Sequence, residues 1–274
     1  MTAAVQSNDA LLVAARAGHR AAIESLLGRY QVRVFGFGLR MCGDSEDAKD
    51  VLQDTLLAAA RTVGEFRGDS SVSTWLYTIA RSFCIKKRRK NKFAPTEEVS
   101  LDRATLALPS SAPAPDELAA REEVKRALAL ALEALDPASR EVLILRDIEG
   151  LTAPDVAKVT GASVDAIKSR LHRARATVRE RLAVALGEGP PSRNPGCPDV
   201  LGAFSSQLEG DLEPHLCADL QTHVEGCPAC RATCDSLKRT LAVCAGSPPG
   251  PVPEAMRDAV RTALRAALRT EPPK

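Results

Sequence analysis

The stretch DPASREVLILRDIEGLTAPDVAKVTGASVDAIKSRLHRAR, Asp136 to Arg175, decides the fold. Asp136-Pro137 places a capping residue ahead of a proline at a first helical position, and the apolar run from Val142 to Leu145 carries that helix on toward Gly150. Thr152-Ala-Pro-Asp155 fits a capping box that opens a short helix ending at Gly161, and Ser163 caps a third helix. In that helix Val164, Ile167, Leu171, Ala174, Val178 and Leu182 recur at intervals of three and four. The spacing puts Lys168, Arg170, His172, Arg173 and Arg175 on its outer faces. Two helices joined by a Gly-containing turn, the second one basic, are what major-groove reading requires, with Arg and Lys reaching phosphates or guanine edges. A helical hairpin with a merely basic face is the competing reading.

Outward from this stretch, the chain favours an all-α fold. Its 274 residues are 45% hydrophobic but 3% aromatic, and its apolar content is mostly Ala, Leu and Val, residues suited to close-packed helices. Two stretches read as linkers: 93–115, with four prolines, and 187–196, Gly-Glu-Gly-Pro-Pro-Ser-Arg-Asn-Pro-Gly. They separate helical blocks at 1–92, 116–186 and 197–246. A Pro/Gly break then precedes a short Ala/Arg helix within 247–274, running from about Glu254 to Arg269.

The net charge of +2 conceals segregation: Lys+Arg against Asp+Glu runs 15 against 9 over 1–92 and 4 against 8 over 187–246. Basic blocks facing acidic ones are expected if some parts meet nucleic acid and others cover those parts. No long apolar run and no export-signal pattern are present, so no membrane association is expected and the expected compartment is the cytoplasm. No nucleophile, base and orienting group cluster in the sequence, which argues against an enzyme.

In the first block, Asp44 and Asp47 bracket a helix start. Ala48, Val51, Leu52, Thr55, Leu56 and Ala59 form its inner stripe, leaving Asp50, Gln53 and Asp54 outside. A Gly/Ser-rich turn from Phe66 then enters a helix holding the only Trp, Trp75. That helix runs into Lys86-Lys87-Arg88-Arg89-Lys90-Asn91-Lys92, either a solvated surface or a phosphate track beside stacking rings.

Six of the eight cysteines lie at or after Cys197. In a reducing compartment they point to a metal or redox site. His223-Val-Glu-Gly-Cys227-Pro-Ala-Cys230 places three soft ligands within eight residues; His223 and Cys227 share a helical face and the turn brings in a second thiolate. Cys197 is the preferred fourth ligand, with Cys217 and Cys234 as rivals. Cys217, Cys234 and Cys244 exceed what one structural zinc needs and are candidates for a further metal or redox site. Cys42 and Cys84 read as small core residues.

These motifs resemble the sigma-70 family of RNA polymerase specificity subunits, in its small extracytoplasmic-function branch. The resemblance implies that Asp47 to Ala59 grips the β′ clamp of the polymerase core, with Asp50, Gln53 and Asp54 as contacts. Arg67, Gly68, Asp69, Ser70, Ser71 and Trp75 would serve the −10 element of promoter DNA, where a flipped base enters a pocket, and Lys86, Lys87, Arg88 and Arg89 its backbone. Asp136 to Arg175 would bind the −35 element, using Lys168, Ser169, Arg170, His172, Arg173 and Arg175. Leu151-Thr-Ala-Pro-Asp155 departs from the family, which more often has an acidic pair there. The tail resembles the zinc-containing anti-sigma fold, and the whole resembles the CorE-like sigma factors whose fused cysteine-rich tail responds to zinc, copper or cadmium. That implies a zinc cofactor, copper or cadmium as sensed ions, and an intramolecular contact between tail and sigma regions. The alternative is a metal- or redox-responsive helix-turn-helix repressor that never joins polymerase, which would leave Asp47 to Arg81 without a task.

Overall fold

The computed structural model describes residues 7–93, 115–188, 194, 196–247 and 250–270; side chains at 91–93 and 115–118 are outside the description. The expected linker at 93–115 and most of that at 187–196 therefore lie outside the described residues. Among the described residues every regular element is helical, as the composition predicts. The chain forms two compact units, one from residues 1–108 with 249–274, the other from 109–248.

The first unit contains α1 (Asn8–Arg16), α2 (Arg20–Gly28), α3 (Gln31–Cys42), α4 (Ser45–Thr62), α5 (Val72–Phe93) and, from the far end of the chain, α13 (Glu254–Thr270). Asp44 caps α4, accepting from the Asp47 amide at 2.8 Å. The inner stripe of α4 is buried from Ala48 to Ala59 and packs on α3 and α5. A Cβ at Gly38 would meet the Ala48 Cα at 3.3 Å, so the absent side chain lets α3 and α4 cross closely. Phe37 and Tyr77 close the core with ring centroids 5.2 Å apart. The expected Ala/Arg helix exists as α13 and does not stand alone. Met256, Val260, Leu264 and Leu268, each four residues apart, are buried as α13 lies along α4 and α2. Arg265 clamps it by donating twice to Glu24, 2.9 Å from Nε to Oε1 and 2.7 Å from Nη2 to the same oxygen.

The second unit contains α6 (Pro115–Glu133), α7 (Pro137–Leu143), a π-helical segment Ile144–Ile148, α8 (Ala153–Thr160), α9 (Val164–Ala183), α10 (Val200–Leu208), α11 (Pro214–Gly226) and α12 (Pro228–Ala245). The caps read from sequence are made: Asp136 accepts from the Ala138 and Ser139 amides, Thr152 from Asp155 and Ser163 from Ala166. Gly161 ends α8 at φ +74°, a left-handed turn that admits glycine without strain. The helix after Asp136 does not run uniformly toward Gly150; it widens into the π segment that carries Arg146 and Asp147. α10 begins where Asp199 caps it and ends before Gly210 turns the chain at φ +74°. Helix α9 is the spine: α6, α7 and α8 pack on it, and so do α10 and α12 of the cysteine-rich segment.

Candidate nucleic-acid and metal sites

On α4 the side chains of Asp50 and Asp54 are exposed and Gln53 is half-buried, on the face opposite the buried stripe. Lys87 of α5 reaches back to this face, 3.3 Å from Asp47 Oδ1 and in contact with Asp50. Those carboxylates, Asp50 foremost, raise the Lys87 ammonium above the usual lysine range. Lys87 is therefore held by α4 and does not extend the basic track as its sequence run implies. Lys86 lies 5.0 Å from the Phe83 ring centroid, Arg89 is exposed and Arg88 half-buried. Ahead of α5, Ser71 accepts from the Thr74 amide at 3.1 Å, capping the helix and fixing the loop that leads to it. Trp75 is half-buried and tilts against Phe66 at 5.0 Å, while Arg67, Gly68 and Asp69 are exposed and Ser70 half-buried beside them. An aromatic edge next to an exposed polar loop is suited to an unstacked base.

Along α9, Ser169 and Arg173 are exposed and Arg170 is half-buried. Lys168 donates to Asp211, and His172 Nε2 lies 3.8 Å from Asp199 Oδ2. Arg175, expected on an outer face, is instead 2% exposed. It donates to Asp147 through Nε at 2.8 Å and Nη2 at 2.7 Å, to Glu209 at 2.8 Å and to Ser205 at 2.8 Å. The reason is positional: Arg175 follows Leu171 by four and precedes Val178 by three, so it points to the packed side of the helix. Burial opposes its charge, but Asp147 and Glu209 more than compensate, raising its pKa further. Arg146 of the π segment completes the cluster, donating to Glu209 at 3.0 Å. Neither Glu209 nor Asp147 stands out in the sequence, since neither lies at a motif spacing.

In the cysteine-rich segment, Cys197, His223, Cys227 and Cys230 bring their ligand atoms within 4.8 Å of one another. The sulfurs of Cys197 and Cys227 are 3.8 Å apart, and His223 Nε2 is 3.2 Å from the Cys230 sulfur. Four ligands on a tetrahedron with bonds of about 2.0–2.3 Å require separations of about 3.5–3.8 Å, so these residues fit a zinc ion. The turn after His223 supplies the geometry. Cys227 leaves the helical region at φ −115°, ψ 105°, and Pro228 starts α12, which brings Cys230 back toward His223. Asn194 donates to the Cys227 sulfur at 3.8 Å. Burial and the neighbouring Cys197 and Cys227 thiols push Cys230 up to about 12, whereas hydrogen bonds from Cys230 lower Cys227, so Cys230 holds the proton that a bound cation would displace.

The remaining cysteines stand outside this set. Cys217 contacts the Leu212 carbonyl at 3.9 Å. Cys234, one turn beyond Cys230, is buried with Val200 and Cys230, and Cys244 is buried near the end of α12. Cys84 is buried in the first unit and its thiol hydrogen-bonds with that of Cys42.

Three family matches follow the chain in order: Sigma-70 region 2 over residues 26–94, Sigma-70 region 4 over 125–178 and a zinc-finger family over 197–231. The RNA polymerase sigma-H factor of Pseudomonas aeruginosa is 29% identical over 191 residues, 67% of this chain and 97% of that protein. The ECF RNA polymerase sigma factor SigM of Mycobacterium tuberculosis is 35% identical over 184 residues, 66% of this chain and 86% of that protein. Among solved structures, CnrH in complex with the cytosolic domain of CnrY is similar at 28% identity and a TM-score of 0.46, covering 66% of this chain and 98% of that one.

Proposed function

Because the chain belongs to the extracytoplasmic-function RNA polymerase sigma factors, we propose a division of labour for it as a promoter-specificity subunit regulated in cis by its zinc-finger tail. Residues 1–92 carry core-polymerase and −10 binding and 116–186 carry −35 binding. Asp50, Gln53 and Asp54 of α4 face the β′ clamp. Arg67, Gly68, Asp69, Ser70, Ser71 and Trp75 engage the unpaired −10 strand, with Lys86, Arg88 and Arg89 on its phosphates. Lys168, Ser169, Arg170, His172 and Arg173 meet the −35 duplex. A repressor that ignores polymerase would have no use for the segment matching Sigma-70 region 2.

The observation that carries regulation in cis is the packing of α10 and α12 onto α9, the helix that must enter DNA. Tethering raises the effective concentration of such a contact to about the millimolar range, so a weak interface suffices. Zinc held by Cys197, His223, Cys227 and Cys230 would tie the start of α10 to α11 and α12. Copper or cadmium, which also favour thiolates, would compete for the same ligands, with Cys217, Cys234 and Cys244 as auxiliary thiols.

The test is transcription of sheared bacterial genomic DNA by core polymerase with the full chain or a chain ending at Gly187, across a zinc, copper and cadmium series, with transcript 5′ ends sequenced. Discrete start sites dependent on the chain are expected, with a metal response confined to the full chain. Absence of start sites with either chain would end the sigma reading, and identical responses would end regulation by the tail.

A further inference from the structure

The carboxylates that meet α9 lie on one side of α10 and its following turn. Asp199, Gly202, Ser205 and Glu209 recur at three and four residues, so one face of α10 carries them all. Asp199 faces His172, Ser205 and Glu209 meet Arg175, Glu209 also meets Arg146, and Asp211 of the following turn meets Lys168. The contact is close because Gly202 has no side chain: a Cβ there would stand 3.3 Å from His172 Nε2 and 2.5 Å from Asp199 Oδ2. A polar cleft of about 320 Å³ between the helices is lined by Lys168, Ser169 and His172 on one side and Asp199, Ser206 and Asp211 on the other.

Resting on the reading that α9 enters the −35 duplex, we propose that Asp199 and Asp211 stand in for DNA phosphate beside His172 and Lys168, with Glu209 anchoring α10 beneath them, and that tail and promoter compete for the same α9 side chains. Two physical reasons converge. The α9 side chains that would face phosphates are already engaged: Lys168 donates to Asp211, and His172 Nε2 lies 3.8 Å from Asp199 Oδ2. A major groove about 12 Å wide admits one helix of about 10–12 Å diameter, so α9 cannot insert with α10 on its reading face. Glu209 is the anchor. Its side chain is 3% exposed and meets both Arg146 and Arg175, whereas Asp199 and Asp211 are at the wetter rim. The tail thus closes the duplex-binding step itself, through charges that DNA replaces.

The test uses the full chain and a fluorescein-labelled duplex of random sequence about three helical turns long, titrated at low salt by anisotropy. The triple variant Asp199→Asn, Glu209→Gln, Asp211→Asn removes the charges while retaining a capping side chain at 199. A control triple, Glu213→Gln, Asp219→Asn, Glu225→Gln, changes net charge equally at exposed positions on α11 and its cap. The site triple should bind about tenfold tighter or more and the control about twofold at most, with zinc content and circular dichroism unchanged in both. Adding Lys168→Ala and His172→Ala to the site triple should abolish the gain. Equal tightening in both triples, no tightening in either, or a gain that survives loss of Lys168 and His172 overturns the proposal. Tight duplex binding without chain-dependent transcription would instead overturn the sigma reading and leave this one standing.

Discussion

Arg175 and the Cys197, His223, Cys227, Cys230 cluster show how single side chains commit this chain to its interfaces. Arg175 is enclosed with Asp147 and Glu209, whose side chains are 6% and 3% exposed. Removing the guanidinium leaves buried carboxylates short of a cation, so Arg175→Ala should cost about 3–5 kcal/mol in denaturant unfolding of the second unit. Among the thiols, Cys227→Ser should abolish stoichiometric zinc while Cys217→Ser retains it, read by metal analysis of the purified chain. Zinc affinity should also fall as pH falls. Metal binding must expel thiol protons, and with Cys230 pushed up to about 12 the metal-free site keeps its proton throughout the working range. Each thiol so held weakens apparent affinity by about tenfold per unit of pH lost. A chelator competition between pH 8 and pH 6 measures this, and a flat profile would contradict thiolate ligation.

At the scale of elements, caps and periodicity were legible because both are local. Asp44, Asp136, Thr152 and Ser163 each accept the amides their spacing predicts. The Ala/Arg helix α13 was legible as well, yet its destination was not: nothing in the spacing of Met256, Val260, Leu264 and Leu268 names α4 and α2 as the surface they cover. Leu264 is 1% exposed there. Leu264→Ala should weaken docking by about 2–5 kcal/mol, seen as faster amide exchange across α13 with little change in α3. Lys87 illustrates the converse. In a run of basic residues it looks equivalent to Lys86, but the facing Asp47 and Asp50 of α4 claim it.

At the scale of the molecule, the second unit packs the helices before α9 and those of the cysteine-rich segment around α9 as one spine, and the first joins the opening helices to α13. If zinc holds the start of α10 against α11 and α12, chelation should abolish amide protection in α10, α11 and α12 and leave α3, α4 and α5 protected. Uniform loss across both units would contradict a separately tied tail.

What the sequence determined by itself was everything that depends on near neighbours: helical class, capped turns, the order of the matching segments and the His223, Cys227, Cys230 triplet. Tertiary structure decided which partner each charged or apolar face meets. It placed Cys197, rather than Cys217 or Cys234, beside His223, Cys227 and Cys230, turned Arg175 inward, engaged Lys87 with α4 and set Glu209 beneath α9. The physical reason is that spacing along a helix specifies the side a residue points to, whereas the charge or surface waiting on that side is supplied by residues far away in the chain.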